Sequence, residues 1–548
     1  MNSRTGRIPS IMARAQRHGG RTAVVDSQGS FTYNDLLDAS SRVAAALLAG
    51  REDLQREDLQ REGLSEERVA FLLTPGFPWV AAQWGIWQAG GVAVPLPLNS
   101  TRPELEYFID DTAASTLVFD ASAAPLLSPI AAARGIRALS LSQDQLRARP
   151  PEELPDMTPG ITDMNMDMNN DRRAMILYTS GTTSRPKGVV TTHANITAQI
   201  MSLVEAWEWS ADDRIVLCLP LHHVHGIVNV VSCALWSGAT CQMLERFDPN
   251  AVWDHIASGS VTLFMAVPTI YVKLIAAWDR ASPERRADLS RACAGLRLMV
   301  SGSAALPVST LQRWKEISGH TLLERYGMTE IGMALSNQFR GERVPGSVGS
   351  PLPSVEVQLV GENGEPVAAG TPGEIEVRGP SVFAEYWGKP ETTRAAFRDG
   401  WFRTGDTAVV ENGVYRILGR TNIDILKTGG HKVSALEIEE ALRQHPAIAE
   451  CAVVGVPDPE WGERVAAAIV LKDALKEVLR DVLNDARNDD DALDLTSLRT
   501  WAKELLAAHK LPSRLLVLDA LPRNAMGKVM KPAVAALFRT AGNGERVA

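Results

Sequence analysis

Short runs of apolar residues alternate with helix-length amphipathic stretches along most of the chain, and glycines and prolines mark the joins. Such runs are typical of strands in parallel sheets, because helices cover both faces of these sheets and leave no polar face. The order is clearest at residues 69–96, where an apolar run, a stretch rich in Trp and Ala and a second apolar run follow one another. This pattern predicts an α/β fold with a large N-terminal lobe of mixed and parallel sheets covered by helices.

The pattern changes near residue 420. A polar break at residues 419–422, Gly-Arg-Thr-Asn, separates two apolar segments, and the strand-like runs that follow belong to a smaller α+β arrangement. We therefore predict two domains, an N-terminal lobe at residues 1–419 and a smaller C-terminal lobe at residues 420–548. The strand-like runs of the smaller lobe lie at residues 452–456, 465–471 and 515–518. The polar stretches expected to be surface segments lie at residues 51–61, 163–173 and 488–494.

Composition narrows the kinds of ligand. The 548 residues are 45% hydrophobic and 22% charged, which is typical of a soluble globular protein. The 56 basic and 65 acidic residues give a formal net charge of −9, which argues against a nucleic-acid surface or a polybasic membrane patch. Five cysteines without a Cys-x-x-Cys spacing indicate neither a disulfide scaffold nor a zinc ribbon. Small molecules are the expected ligands.

Two segments bear on where the protein works. Residues 70–101 carry no formal charge over a length that could cross a bilayer, but glycines and prolines divide them, so we predict no membrane span. Five arginines without an early acid, among residues 1–21, weakly resemble a transit peptide. The strand end and helix cap indicated at residues 31–37 leave little sequence before the fold begins. We therefore predict a cytoplasmic protein.

The densest cluster of candidate chemistry follows a strand-like run at residues 175–178. Hydroxyls, glycine and backbone amides packed this closely, with a lysine at the end, suit polyphosphate oxygens. The common form Gly-x4-Gly-Lys-Ser/Thr is not met, because Lys187 lies between Pro186 and Gly188. A polar surface loop is the alternative interpretation. The candidate phosphate-binding residues are Thr179, Ser180, Gly181, Thr182, Thr183, Ser184 and Lys187.

Two further blocks carry weaker signals. Within the segment Glu324–Glu330, Tyr326 offers an aromatic face for a purine, and Glu330 offers a hard oxygen ligand of the kind that Mg²⁺ prefers. Asp406 follows a glycine and could hold ribose hydroxyls, although a turn carboxylate is its more ordinary role. Neither block identifies a reaction by itself.

These blocks occur in order with two more, at residues 419–430 and 522–528. Together they resemble the acyl-activating adenylate-forming enzymes, which include acyl-CoA synthetases, nonribosomal adenylation domains and firefly-type luciferases. The resemblance covers nearly the whole chain. The segments most similar to the malonyl-CoA synthetase branch, including its acyl-CoA synthetase family member 3 type, lie at residues 220–226, 266–273, 323–333 and 427–434.

The resemblance implies an acid:CoA ligase (AMP-forming). In this family a carboxylate attacks the α-phosphate of MgATP, pyrophosphate leaves, and the thiol of coenzyme A then displaces AMP from the acyl-adenylate. Because an anionic nucleophile approaches an anionic phosphate, positive groups and fixed dipoles must be in place beforehand. Lys528 would bridge the reacting groups in the first step only, so the C-terminal lobe is expected to be mobile and to rotate between the half-reactions.

The resemblance also assigns an ATP site. Thr329 and Glu330 would bind the α-phosphate and Mg²⁺, and Asp406 and Arg420 would hold the ribose. Besides the phosphate loop, the ATP-binding residues would be Gly302, Ser303, Ala304, Glu324, Arg325, Tyr326, Gly327, Met328, Asp406 and Arg420. Arg325 itself has two interpretations, either a structural ion pair with a neighbouring glutamate or a source of positive potential in the acyl pocket.

Coenzyme A would pass close to the backbone at Gly429 and Gly430. The family's hinge residue usually lies two positions after the arginine of the Gly-Arg pair, which indicates Asn422. Ile423 is the alternative, because Asp424 comes one residue later than in most members.

Substrate choice depends on a second cationic group, because an apolar pocket would reject the free carboxylate of a dicarboxylic acid. Lys273 is the candidate, with help from Ser303. Many malonyl-CoA synthetases have arginine at this position, and lysine keeps the charge but loses the bidentate fork. A lysine on the surface of a helix is the alternative interpretation. His225 and Met333 would also face the acyl pocket, and His223 would gate carboxylate entry.

The main hypothesis is an ATP-dependent malonate–CoA ligase, with methylmalonate as another acid, that uses ATP, Mg²⁺ and coenzyme A in fatty acid metabolism as a monomer or homodimer. A short- or medium-chain acyl-CoA synthetase is the alternative within the family. Two other classes make different products. A phosphotransferase would release ADP, and a non-catalytic nucleotide sensor would bind ATP without forming AMP.

Overall fold

The computed structural model describes residues 9–49, 63–142, 144, 146, 171–179, 185–472, 493–523, 529–540 and 546–547. The chain divides into two compact units. Unit 1 comprises Met1–Leu306, Thr310–Val357 and Val377–Phe402, and unit 2 comprises Pro307–Ser309, Gln358–Glu376 and Arg403–Ala548. The domain boundary between residues 419 and 420 stays a prediction. The predictions that lie outside the described residues concern residues 51–61, Ser180, Gly181, Thr182, Thr183, Ser184, Lys528 and most of residues 163–173 and 488–494.

The strands are numbered in chain order. They are β1 (Thr22–Asp26), β2 (Gly29–Thr32), β3 (Arg68–Leu72), β4 (Val92–Pro95), β5 (Thr116–Phe119), β6 (Arg137–Ser140), β7 (Arg173–Thr179), β8 (Lys187–Thr192), β9 (Arg214–Leu217), β10 (Thr240–Met243), β11 (Leu263–Ala266), β12 (Leu298–Ser301), β13 (Leu323–Met328), β14 (Gly332–Ser336), β15 (Ser350–Pro351), β16 (Glu356–Val360), β17 (Gly373–Arg378), β18 (Glu385–Tyr386), β19 (Phe397–Arg398), β20 (Trp401–Glu411), β21 (Val414–Arg420), β22 (Ile425–Thr428), β23 (His431–Ser434), β24 (Ile448–Asp458), β25 (Gly462–Leu471), β26 (Arg514–Leu518) and β27 (Arg546–Val547).

The helices are numbered in the same way. They are α1 (Ser10–Ala15), α2 (Tyr33–Leu48), α3 (Phe77–Gln88), α4 (Arg102–Thr112), α5 (Ala124–Arg134), α6 (His193–Ala206), α7 (Cys233–Ser237), α8 (Pro249–Ala257), α9 (Pro268–Asp279), α10 (Pro283–Ala294), α11 (Val308–Ser318), α12 (Pro390–Ala395), α13 (Ala435–Arg443), α14 (Leu495–Ala502) and α15 (Lys531–Thr540). A π-helix covers His225–Ser232, and a short 3₁₀-helix covers Ala508–Lys510.

Two large sheets form unit 1. One has seven strands in the order β18-β8-β7-β4-β3-β5-β6, and the other has nine in the order β15-β14-β13-β12-β11-β9-β10-β1-β2. Parallel pairs such as β3 with β4 and β11 with β12 occur beside antiparallel pairs such as β7 with β8 and β13 with β14. The prediction of mixed and parallel sheets covered by helices is therefore confirmed.

The uncharged segment at residues 70–101 lacks charges because most of it is buried. β3 and β4 are parallel neighbours, and α3 between them is buried along nearly its whole length. A helix that is apolar all round must be covered on every side. Gly85 lets α2 approach, because a Cβ there would lie 2.5 Å from the Cβ of Val43. No helix among the described residues is long and apolar enough to cross a membrane.

The smaller unit contains the predicted α+β arrangement. Its six-stranded sheet runs β23-β22-β25-β26-β27, with β24 paired to β25. The strand-like runs predicted at residues 452–456, 465–471 and 515–518 are parts of β24, β25 and β26. A five-stranded sheet, β16-β17-β20-β19 with β21 paired to β20, lies where the chain passes between the units. All five cysteines are buried free thiols.

Candidate active site

The predicted phosphate loop joins two antiparallel strands of unit 1. Thr179 at the end of β7 faces Lys187 at the start of β8 in the pairing register. The ammonium of Lys187 lies 4.8 Å from the centroid of the Tyr386 ring. The hydroxyl of Tyr386 donates a hydrogen bond to Oε1 of Glu330, at 3.0 Å. The fold thus brings Lys187 and Glu330, which are far apart in sequence, to one tyrosine, Lys187 over its ring and Glu330 at its hydroxyl.

Glu330 is the candidate Mg²⁺ ligand. Its side chain is buried, and Thr329 precedes it at the edge of a small cavity of about 20 Å³. The described residues contain no group of three or more His, Cys, Asp or Glu side chains that could hold a metal ion. One carboxylate nevertheless suits Mg²⁺ bound to a nucleotide, because this ion keeps several waters and takes its other ligands from phosphates.

The turn that carries Thr329 and Glu330 is closely packed. A Cβ at Gly327 would lie 2.1 Å from the carbonyl oxygen of Gly332. Gly332 has a positive φ of 64°, and its neighbour Met333 donates its backbone N–H to Oε1 of Gln199 at 2.6 Å. These contacts leave the turn little freedom, which suits a carboxylate that must be in place before the reaction.

Glu324, at the start of the same block, has a structural contact. Its Oε1 accepts a hydrogen bond from the backbone N–H of Gly346 at 2.9 Å. Tyr326, Gly327 and Met328 are the half-buried end of β13, whereas Leu323 to Arg325 are buried. Of the ATP-binding residues predicted in this block, Tyr326, Gly327 and Met328 are therefore more accessible than Glu324 and Arg325.

Arg325 lies beneath the turn that follows β12. Ser303 and Ala304 of that turn are exposed, and Ser303 has a positive φ of 68°. A Cβ at Gly302 would lie 2.6 Å from Nε of Arg325, so the guanidinium packs directly against the glycine backbone. Nη2 of Arg325 donates to Oγ of Ser303 at 3.1 Å. Three residues predicted to share the site are thus in contact.

Arg325 is 3% exposed and forms no ion pair with any described carboxylate. The interpretation as an ion pair with Glu324 or Glu330 therefore finds no support, and the interpretation as a source of positive potential remains. Burial lowers the pKa of Arg325 to about 9, so the side chain still carries its charge at neutral pH. A buried cation held only by neutral groups is unusual, because charge burial is costly without an anion.

The π-helix places His225 beside this arginine. Nδ1 of His225 lies 3.3 Å from Oγ of Ser303. Burial, together with the charge of Arg325, holds the pKa of His225 well below its usual range, so the ring is neutral. His223, the predicted gate, is half-buried and its ring lies 4.1 Å from that of His222.

The predicted anchor Lys273 lies apart from these contacts. It is exposed on α9, whose buried face consists of Ile270, Tyr271 and Leu274 among others. Its ammonium lies 5.7 Å from the centroid of the Phe247 ring, and it forms no ion pair with the described residues. This is the position that the helix-surface interpretation expects. Its role as an anchor stays a prediction.

The ribose candidates are neighbours in unit 2. Asp406 on β20 pairs with Arg420 on β21 in the strand register, and Oδ1 of Asp406 lies 2.9 Å from Nε of Arg420. The hinge candidate Asn422 is exposed in the turn that follows. That turn is closed by Asp424, whose Oδ2 accepts the backbone N–H of Arg420 at 2.9 Å.

The candidate coenzyme A turn lies between β22 and β23. Gly429 and Gly430 have positive φ angles of 53° and 79°, which favour glycine. The backbone N–H of Gly429 donates to the carbonyl oxygen of Trp461 at 2.9 Å, and a Cβ at Gly429 would lie 2.9 Å from the Trp461 ring. The indole of Trp461 is 43% exposed, so an apolar surface adjoins the turn.

The sequence analysis did not single out Tyr386, Asn229 or Trp461. Tyr386 belongs to a two-residue strand without a motif, and only its pairing with β8 brings it to Lys187. Asn229 and Trp461 lie in ordinary apolar or polar surroundings in the sequence. A large apolar side chain among polar neighbours, in Asp-Pro-Glu-Trp-Gly-Glu-Arg, was the signal in the sequence that could have indicated Trp461.

Comparisons with known proteins show the family of the chain. A family model described as AMP-binding enzyme matches residues 11–387, and one described as AMP-binding enzyme C-terminal domain matches residues 437–528. The mitochondrial malonate–CoA ligase ACSF3 of Bos taurus is 46% identical over 95% of this chain and 89% of its own length. Its counterpart from Homo sapiens is 44% identical over 97% of this chain and 92% of its own length.

Solved structures give the same result for the fold. The crystal structure of ATP-bound MatB from Rhodopseudomonas palustris is similar with a TM-score of 0.81 and 32% identity, covering 97% of this chain and 99% of that one. An o-succinylbenzoate CoA synthetase from Bacillus subtilis, in complex with its acyl-adenylate intermediate, has a TM-score of 0.78 at 26% identity. That match covers 98% of this chain and 99% of the synthetase.

The prediction of a cytoplasmic protein is wrong. Four relatives that are 44–46% identical to the chain are named as mitochondrial proteins. The arginine-rich, acid-free start at residues 1–21 was the signal in the sequence that pointed away from the cytoplasm.

Proposed function

The chain belongs to the AMP-binding enzymes of the adenylate-forming family, and from this premise we propose that it is an ATP-dependent ligase that joins malonate to coenzyme A. AMP and pyrophosphate are the other products. Relatives named malonate–CoA ligase in mammals and in Arabidopsis thaliana, matched over 87–92% of their own length, support malonate as the acid. Methylmalonate is a second candidate, because its extra methyl group leaves both carboxylates available.

The observation that carries this proposal is the buried Arg325 without a carboxylate partner among the described residues. Removing a charge from water costs several kcal/mol unless an opposite charge compensates it. A substrate that brings a second carboxylate supplies that charge, whereas a monocarboxylic acid does not. The site therefore favours a dicarboxylic acid over the short- or medium-chain acids of the alternative hypothesis.

In the first half-reaction the protein holds three anionic groups together. Thr179 to Lys187 would bind the β- and γ-phosphates, and Thr329 would bind the α-phosphate. Glu330 would hold Mg²⁺, which neutralises phosphate charge when it is bound. Lys528 would bridge the attacking carboxylate and the α-phosphate, and His223 would gate the entry of the acid. The hydrogen bond from Tyr386 to Glu330 supports this arrangement by fixing the carboxylate.

In the second half-reaction the C-terminal lobe would turn about Asn422 and bring Gly429 and Gly430 to the acyl-adenylate. The exposed indole beside these glycines, that of Trp461, supports a path for the pantetheine arm there. Asp406 and Arg420 would hold the ribose in both steps. Because the four mammalian and Xenopus laevis relatives are named as mitochondrial, we place the enzyme in mitochondria, with its product available to fatty acid metabolism.

The test is a product assay with a panel of acids. Purified protein is supplied with MgATP, coenzyme A and malonate, methylmalonate, succinate, propionate or octanoate in turn. We expect pyrophosphate, AMP and malonyl-CoA with malonate, and much slower turnover with the monocarboxylic acids. Release of ADP would indicate the phosphotransferase, and a preference for propionate or octanoate would indicate the alternative acyl-CoA synthetase.

A variant separates the two half-reactions. Lys528→Ala should abolish pyrophosphate release from malonate and ATP, while thioester formation from added malonyl-adenylate should persist. Adenylation that survives this change would contradict the role given to Lys528.

A further inference from the structure

The π-helix that carries His225 holds a second buried polar side chain that the proposed site does not use. Asn229 is fully buried in the π-helix, and neither its Nδ2 nor its Oδ1 forms a hydrogen bond to any described residue. Leaving a buried amide unpaired costs about 1–3 kcal/mol, so a protein keeps one where something else pairs with it.

The helix fixes where Asn229 lies. His225 and Asn229 are four residues apart, which places both on one face of a helix. A Cβ at Gly226 would lie 2.6 Å from the carbonyl oxygen of Pro220, so the first turn packs directly against the preceding loop. Asn229 therefore lies one turn along the helix from His225, the residue that contacts Ser303 and, through it, Arg325.

The contacts of Ser303 favour one tautomer of His225. The Ser303 hydroxyl accepts a hydrogen bond from Nη2 of Arg325 and has its own hydrogen to donate to Nδ1 of His225, 3.3 Å away. A neutral imidazole with Nδ1 as acceptor carries its hydrogen on Nε2. Nε2 of His225 is buried and forms no hydrogen bond among the described residues, and the same is true of Nε of Arg325.

Three buried groups are therefore left without a hydrogen bond among the described residues: Nε–H of Arg325, Nε2–H of His225, which shares Ser303 with that arginine, and the amide of Asn229, one helix turn from His225. A carboxylate is acceptor-only and has about four lone-pair positions, so it matches a set of donors around a positive charge. A methyl or methylene group would leave all three donors unpaired. We propose that Asn229 is a specificity-determining residue, whose amide donates to the free carboxylate of the dicarboxylic substrate beside His225 and Arg325.

This inference rests on the proposed function, and it goes further by naming the residue that distinguishes a dicarboxylic from a monocarboxylic acid. The test compares kcat/KM for malonate and for propionate, measured by pyrophosphate release, in the full-length protein and two variants. Asn229→Leu keeps the volume and removes the amide, and Asn229→Asp keeps the shape and adds a negative charge. The matched control is Gln83→Leu, which removes another fully buried amide, in α3.

We expect the malonate-to-propionate ratio to fall at least about tenfold in Asn229→Leu, as for a lost hydrogen bond to a charged group. It should fall further in Asn229→Asp because like charges repel, while the KM for ATP stays the same. Gln83→Leu should keep the wild-type ratio. If Asn229→Leu does not fold, the isosteric Asn229→Asp gives the answer alone.

Two failures are distinguishable. A wild-type protein that prefers malonate, with variants that keep that preference, overturns the role of Asn229 alone. A wild-type protein that releases no pyrophosphate with malonate overturns the proposed function and this inference with it. A ratio that falls equally in Gln83→Leu would assign the effect to general loosening of unit 1 and would also overturn the inference.

Discussion

Each unit of the protein buries a cation, and the two are treated in opposite ways. In unit 2, the ammonium of Lys531 contacts the carboxylates of Asp424 and Glu439, the latter at 2.7 Å. In unit 1, Arg325 donates to the neutral hydroxyl of Ser303, packs against Gly302 and forms no ion pair with a described carboxylate. Burial alone would lower the pKa of Lys531, but the charges of Glu439 and Asp424 outweigh it and raise that pKa. The pKa of Arg325 is lowered.

Under the proposed function, the difference is one between a structural charge and a binding charge. The lysine cluster, Lys531 with Asp424 and Glu439, ties α15 to α13 and to the turn before β22. The arginine cluster, Arg325 with Ser303 and His225, has donors left without a partner among the described residues. We propose that the substrate's free carboxylate supplies the anion that the arginine cluster lacks.

Breaking the lysine cluster should have the largest effect. Lys531→Met leaves the buried carboxylate of Asp424 without its cation and that of Glu439 with Arg443 alone, and we expect unit 2 to lose about 3 kcal/mol of stability. Hydrogen exchange of the β24 and β25 amides, read by mass spectrometry, measures this loss locally. Lys503→Met is the matched control, since Lys503 is exposed, and should change stability by less than about 0.5 kcal/mol. Equal exchange in the two variants would show that the cluster stabilises nothing.

Removing the buried cation of unit 1 should not lower stability as removing Lys531 does. Arg325→Met deletes an uncompensated buried charge, so we expect the stability of unit 1 without substrate to stay the same or rise by about 1 kcal/mol. Urea unfolding followed by tryptophan fluorescence measures it. A loss as large as that of Lys531→Met would mean that Arg325 is paired and structural after all.

Part of this comparison could be predicted from the sequence. The apolar runs predicted β3, β4 and β7. A strand that is buried on both faces has few polar residues, so it stands out in the sequence as a continuous apolar run. A strand end and a helix cap were predicted within residues 31–37, and the structure has there the end of β2 and the reciprocal capping box of Thr32 and Asp35 that starts α2. Local physics determines these elements, so local sequence is enough to find them.

The pairing of buried charges could not be predicted in this way. Lys531 and Asp424 are 107 residues apart, and Tyr386 and Glu330 are 56 residues apart, so only the fold brings each pair together. The two interpretations of Arg325 differ solely in whether a carboxylate lies within reach. The answer depends on contacts between side chains of different strands, and the pattern of hydrophobic residues in the sequence does not reveal those contacts.

Removing the charge of Lys273, which is exposed, should have an intermediate effect compared with removing the buried charges. Lys273 is exposed, so water and dissolved ions screen the attraction between its ammonium and a bound carboxylate. We therefore expect Lys273→Ala to lower kcat/KM for malonate by no more than about tenfold. The decrease should shrink at high ionic strength, which pyrophosphate release at several salt concentrations would show. A larger, salt-independent loss would mean that Lys273 enters the pocket and shares the anchoring with Arg325.

The smallest expected effect is the pH dependence of His225. Its pKa lies well below the usual range because of burial and Arg325, so the ring stays neutral from about pH 6.5 to 8. If it titrated there, protonation toward acid pH would add positive charge and improve malonate binding. We expect the ratio of kcat/KM for malonate in the wild type to that in His225→Gln to stay flat over this range. A ratio that rises toward pH 6.5 would show a charged histidine.

The most direct measurement is the substrate preference of Arg325→Met. With pyrophosphate release at pH 7.5, we expect kcat/KM for malonate relative to propionate to fall about 100-fold, which corresponds to about 2.7 kcal/mol for a lost buried charge pair. The protein should remain folded and able to bind ATP. A variant that keeps the wild-type preference for malonate would contradict the assignment of the buried arginine to the substrate's free carboxylate.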